Sequence, residues 1–92
     1  MTLRDRLTED MKQAMKDKEA GKLKLSVIRM VRSAAKNVEI DRRKELDDNE
    51  LLDVVAKEVK MRRDSLDEFR KTGRHELLDV MEQENDIWMD YL

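Results

Sequence analysis

The chain has 92 residues, of which 46% are charged and 39% hydrophobic, with Pro 0, Gly 2, Cys 0 and a formal net charge of −2. That length suits one small domain with a modest core, and the lack of cysteine excludes disulfide staples, zinc-thiolate sites, redox couples and thiol nucleophiles together. No stretch approaches the ~18 apolar residues of a membrane span, and Met1 to Arg6 contains no signal-like apolar run, so a soluble, cytoplasmic protein is expected.

Charge is distributed unevenly. Residues 1–46 carry 13 Lys/Arg against 8 Asp/Glu, a net of +5, and residues 47–92 carry 7 against 14, a net of −7. Either one end of the molecule binds anions or the two halves neutralise each other on folding. Disorder is the competing reading of so polar a chain, but the apolar residues fall at helical spacing, which a disordered polyelectrolyte has no reason to maintain.

Thr2 followed by Asp5 has capping-box spacing, and Leu3, Leu7, Met11, Ala14 and Met15 then step along one face of a first helix that should fail near Gly21. A second helix is expected from about Lys22 to Lys44. Here Lys22, Arg29, Lys36 and Arg43 recur every seven positions, with Arg32 between two of them, so all five share one face. Leu23, Val27, Val31, Ala34, Ala35 and Val38 gather on the opposite one. The polar cluster from Glu45 to Asn49 marks its end.

Asp47 with Glu50 gives a second capping box, opening a third helix that reaches Thr72, spans roughly 37 Å and stops at Gly73. Its apolar stripe runs Leu51, Val55, Val59, Leu66, Phe69, and Arg62 falls inside that stripe. A buried lone guanidinium is expensive. Glu58, one turn earlier, supplies the counter-charge, either as a semi-buried structural ion pair or as the partner of a cation held for a phosphate or carboxylate ligand.

A fourth helix, from about His75 to the end, lines up Leu77, Met81, Trp88 and Leu92, flanked by Val80, Ile87 and Tyr91. Large apolar side chains at a terminus need a reason. Either Trp88 and Tyr91 dock back onto the helices, or they form a surface that a protein partner, or a continuation of the chain, covers. Four amphipathic helices with short links make an all-α domain over residues 1–92, and the unequal helix lengths favour an orthogonal array over a regular bundle.

No catalytic constellation emerges. There is no Gly-x-Ser-x-Gly elbow and no glycine-rich phosphate loop. His75 with Asp79 is half a metal site at best, and Asp47, Asp48, Asn49 and Glu50 lack the spacing of a calcium loop and read as helix capping. Neither a metal nor a cofactor is expected, and function is sought in surfaces. The basic stripe of the second helix is either a solvated face or a surface that neutralises nucleic-acid phosphates through Lys22, Arg29, Arg32, Lys36 and Arg43 without reading bases. With no aromatic residue in that helix, a base-stacking platform is missing there.

The run Leu25-Ser26-Val27-Ile28-Arg29-Met30-Val31-Arg32-Ser33-Ala34-Ala35-Lys36-Asn37-Val38-Glu39-Ile40 resembles the second helix of the YqeY family of small bacterial proteins. Glu58-Val59-Lys60-Met61-Arg62-Arg63-Asp64-Ser65, leading to Phe69 and Gly73-Arg74, is similar to that family's third helix and turn. Tyr91-Leu92 is similar to the start of its Tyr-Leu-Pro junction. The resemblance covers nearly the whole chain.

It implies an all-α protein of two helical parts, the second similar to the C-terminal tail of GatB, the tRNA-handling subunit of the glutamine-dependent tRNA amidotransferase. This chain is expected to represent the N-terminal part, stopping where the second would begin. The resemblance further implies an accessory, non-catalytic module linked to carbon-nitrogen ligase activity with glutamine as amide donor. Its expected partner is tRNA or a protein, met through the basic face of the second helix. The alternative is a protein-binding scaffold that docks a partner around Trp88 and Tyr91 and has no RNA role.

Overall fold

The computed structural model describes residues 1–73 and 75–92. Arg74, half of the Gly73-Arg74 turn on which the resemblance drew, lies outside them. Four α-helices follow one another: α1 (Leu3–Lys16), α2 (Lys22–Arg42), α3 (Asp48–Thr72) and α4 (Leu78–Met89). Single 3-10 turns, Lys18–Gly21 and His75–Leu77, precede α2 and α4, and no strand occurs among the described residues. The fold is all-α. Its principal extents are 41 × 32 × 19 Å.

Both capping boxes form as the spacing predicts. The Asp5 amide donates to Thr2 Oγ1 (3.1 Å) and the Thr2 amide to Asp5 Oδ2 (3.4 Å), while Glu50 and Asp47 exchange the same pair of bonds at 2.8 and 3.3 Å. Gly73 closes α3 in the left-handed region, with φ 75°. The first two helices end earlier than expected. α1 stops at Lys16 because Lys18 adopts φ 53°, and α2 stops at Arg42 because Arg43 adopts φ 55° and its amide returns to the Glu39 carbonyl.

That left-handed residue turns the chain so that Leu46 enters the core. Glu39 holds the turn in place, since its carboxylate accepts both the Leu46 amide (2.9 Å) and Arg4 Nη2 (2.6 Å). The Leu46 amide bond, followed by the Arg4 guanidinium, keeps the Glu39 carboxyl below its ordinary range. Glu50 secures the same junction: Oε2 takes Lys44 at 2.9 Å and Arg42 at 3.0 Å.

Lys44 first, and then the capping amide of Asp47, lower the Glu50 carboxyl to about 2. A folded-state value below the unfolded one contributes stability that is complete above the unfolded value, near 4.5, and is lost as pH falls towards about 2. Urea midpoints measured across pH are therefore expected to drop through that window. In Glu50→Gln, which keeps the capping acceptor but not the charge, the decline should be shallower.

Inside, Leu7 of α1 meets Val27, Ile28, Val31 and Ala35 of α2, Leu51, Val55 and Val59 of α3, and Trp88 and Tyr91 from the chain's end. α1 packs chiefly on α2 and α3 chiefly on α4, with α2 also touching α3 and α4. The inward face of α4 differs from the one expected. Leu78, Met81, Asn85 and Trp88 point inward, and Leu77 and Leu92 are 51% and 57% exposed. A 3-10 turn advances fewer residues per revolution than an α-helix, so Leu77 is out of phase with the helix that follows, and Leu92 lies beyond its end.

Candidate functional site

The cationic face belongs to α2, which is packed on one side by Val27, Ile28, Val31 and Ala35 and open on the other. Lys22, Arg29, Arg32 and Lys36 are all exposed along the open side, with Ser26, Ser33 and Asn37 between them. Arg43, also exposed, follows the helix as its left-handed cap rather than as a helical residue. Lys22, Arg29, Arg32 and Lys36 therefore share one exposed helix face, and Arg43 lies beyond its end in the turn.

None of these five makes an ion pair with a described carboxylate. Several other cations of the molecule are committed: Arg4 to Glu39, Lys24 to Asp10, Arg42 and Lys44 to Glu50, Arg70 to Glu82. Among the described residues only Arg32 of the five has a side-chain hydrogen-bond partner, donating from Nη1 to the Met11 sulfur of α1 at 3.1 Å, which lays its stem across the helix junction. A row of cations without carboxylate partners among the described residues keeps its positive potential.

Beside the row runs an open groove of about 700 Å³ between α1 and α2. Leu7, Val31, Ala35 and Leu51 form its apolar part, with Arg32 and Lys36 on the α2 side and Arg4 and Thr8 on the α1 side. Ile40, 64% exposed, stands at its lip.

Arg62 sits inside the α3 stripe, as its sequence position requires, and is only partly exposed. It pairs with Glu58 through Nη1, reaches the Met30 sulfur at 3.4 Å through Nη2, and lies 4.2 Å over the Trp88 ring. One face of the guanidinium and both of its Nη edges are therefore engaged by the protein itself. The arrangement is that of a structural pair stacked on an aromatic ring, with the stem packed on the core.

Trp88 and Tyr91 are 0% and 2% exposed, so neither offers the partner surface considered from the sequence. The chain's end docks back. The Tyr91 hydroxyl donates to Asp10 Oδ2 at 2.5 Å, Arg6 stacks 4.5 Å over the Tyr91 ring, and Arg6 Nη2 donates to the Asp90 carbonyl at 2.7 Å. Burial first, and then the Asp10 carboxylate, push the Tyr91 phenol above its ordinary range. Phe69, the remaining aromatic residue, is half-buried in α3.

Asn85 was not anticipated as an interior residue. It is 5% exposed, and its Oδ1, like Trp88 Nε1, has no hydrogen-bond partner among the described atoms. Its spacing seven residues after Leu78 and three before Trp88 carried the signal, hidden by its polarity. His75 and Asp79 are both exposed, and among the described residues no group of three or more potential ligands assembles around a metal position. Nor is any described helix long and apolar enough to cross a membrane.

The family model described as Yqey-like protein matches residues 4–92. Among curated proteins, the chain is similar to "Altered inheritance of mitochondria protein 41, mitochondrial" of Lachancea thermotolerans, with 39% identity over 87 residues, covering 94% of this chain and 46% of that protein. The protein of the same name from Kluyveromyces lactis is 41% identical over 86 residues, covering 92% of this chain and 45% of that protein. The chain thus spans about half the length of the curated relatives it matches. These relatives are yeast proteins with mitochondrial names, where the resemblance had implied bacterial ones. Their names overturn the cytoplasmic expectation: lack of cysteine and of a leader-like run in this sequence does not decide a compartment.

Proposed function

Because the chain belongs to the YqeY family, we propose that it acts as a non-catalytic helical module whose α2 face contacts the phosphates of tRNA, as an accessory to tRNA-dependent amide transfer. The observation that carries this reading is the row Lys22, Arg29, Arg32 and Lys36, exposed together and without carboxylate partners. The link to amidotransferases rests on the family's similarity to the GatB tail, and the relatives' names say nothing of it. The alternative of a protein-binding scaffold draws no support from Trp88 and Tyr91, which are 0% and 2% exposed.

The contact would be to backbone and shape. From Lys22 to Lys36 the row runs about 21 Å along the helix axis, a length over which rigidly spaced cations suit the fixed phosphate array of a folded RNA. Single-strand recognition needs aromatic faces on which bases stack. Here Trp88 and Tyr91 are buried, and Phe69 is a half-buried residue of α3.

Fluorescence anisotropy with bulk tRNA across a salt series tests this. Binding is expected at low salt and should weaken steeply as salt rises, because neutralised phosphates release their counterions. Arg29→Glu with Lys36→Glu, both at exposed positions, should leave the helical circular dichroism intact, lower affinity by about tenfold or more and flatten the salt slope. Absence of binding by the unaltered chain at low salt, or equal binding by the variant, would remove the RNA role from this surface.

A further inference from the structure

α4 is the electrostatic counterpart of α2. Between Leu78 and Met89 it carries Asp79, Glu82, Glu84 and Asp86 and no basic residue. Glu82 is tied across the α3–α4 hairpin to Arg70 at 2.7 Å, but Asp79 and Asp86 meet no described cation within ion-pair distance. Asp79, Gln83 and Asp86 fall at i, i+4 and i+7, so they form one strip on the exposed side of the helix. Val80, 46% exposed, and the half-buried Ile87 run beside it, again seven residues apart.

The open side of α2 has the same pitch with the opposite sign. Arg29 and Lys36 are seven residues apart, exposed and without an ion pair among the described residues, and Ile40 follows them at 64% exposure. Seven residues rise about 10.5 Å along either helix. Two such helices laid side by side bring both cations against both carboxylates at once, which a single chance pair of charges does not achieve. Within one molecule both rows stay exposed, so they do not satisfy each other.

We propose that copies of this chain associate by laying the cationic row of α2 from one copy along the anionic strip of α4 from another. Ile40 and Val80 add apolar area to the contact. Exposed pairs are individually weak and screened by salt, so the association belongs to the transient class of interfaces and is strongly salt-dependent. It does not depend on the RNA reading. Where both hold, they compete for Arg29 and Lys36, so that RNA releases the copies from one another.

Sedimentation equilibrium of the full chain tests it, at about 50 mM and then about 500 mM salt, where the screening length shrinks severalfold. The unaltered chain is expected to rise above single-chain mass with concentration at low salt and to return to it at high salt. Arg29→Asp with Lys36→Asp, and separately Asp79→Lys with Asp86→Lys, should each weaken association by about tenfold or more, because like charges then face each other. An equimolar mixture of the two variants should recover it.

A chain that stays at single-chain mass at low salt overturns the proposal. So does association that survives either reversal, or a mixture that fails to recover it when circular dichroism shows both variants folded. Asp79→Asn with Asp86→Asn removes the anionic strip without adding a cation and keeps the row of α2, so the anisotropy of that variant with tRNA reports on the RNA reading. The two ideas can thus fail separately.

Discussion

Trp88→Ala is expected to cost about 3–5 kcal/mol, a large part of the roughly 5–14 kcal/mol that a chain of this length has to lose. Trp88 is fully buried at the junction of α2, α3 and α4, and no smaller side chain fills its volume. The loss reaches beyond the cavity. Arg62, stacked 4.2 Å over the ring, would keep Glu58 but lose the aromatic face beneath its guanidinium.

Trp88→Phe separates the contributions. Because Trp88 Nε1 has no hydrogen-bond partner among the described atoms, the phenyl ring forfeits volume without breaking a described bond, and its cost should be well below that of alanine. Urea melts followed by circular dichroism are the measurement, since Trp88 is the chain's single tryptophan and its fluorescence disappears with it. A Trp88→Ala midpoint close to that of the unaltered chain would mean that the last helix is not docked in solution.

Why the sequence showed some of this and not the rest follows from what local chemistry decides. Thr2 with Asp5, and Asp47 with Glu50, are short-range bonds among residues three apart, so their spacing was enough to place two helix starts. The face of α2 was equally legible, because a charge repeat of seven residues opposite an apolar stripe has only one helical solution. Ile28 is the exception. It is fully buried although it stands next to Arg29, as the buried arc extends further round α2 than the apolar stripe suggests.

Features set by tertiary contact were not legible. Arg43 is held in the left-handed region by a turn whose anchor, Glu39, receives Arg4 from a distant helix. Nothing local marks an arginine for that role. The phase of α4 depends on a 3-10 turn, and shifting it by one residue exchanged Leu77 for Leu78. For Trp88 and Tyr91 the sequence posed the right alternatives, docking or exposure, but the choice lay with Asp10, Arg6 and Arg62 on other helices.

The two glycines make the sharpest contrast between local and tertiary causes, and Gly21→Ala is expected to be the second severe substitution. Propensity alone predicts the opposite sign. Gly21 has φ −96°, which alanine adopts without strain, and trading a flexible residue for alanine there would ordinarily stabilise by about 0.4–1 kcal/mol. Space forbids it. A β-carbon on Gly21 would stand 2.1 Å from the Ala14 carbonyl oxygen and 2.7 Å from the Ala14 Cα and carbonyl carbon. All three are backbone atoms, which cannot rotate aside, so α1 and the start of α2 must separate for the methyl group to fit.

That separation disturbs Ala14 and the α1–α2 junction together, and a cost of about 3 kcal/mol or more follows, at the upper end for overpacking. At Gly73 the causes are reversed. Its added β-carbon meets nothing within 4 Å, but φ 75° disfavours any side chain, and Gly73→Ala should cost only about 1 kcal/mol. Thermal melts of the two variants should differ by roughly 8–16 °C, since each kcal/mol moves a domain of this size by about 4–8 °C. Equal melting temperatures would mean that α1 and α2 do not cross at backbone contact at the Gly21–Ala14 approach.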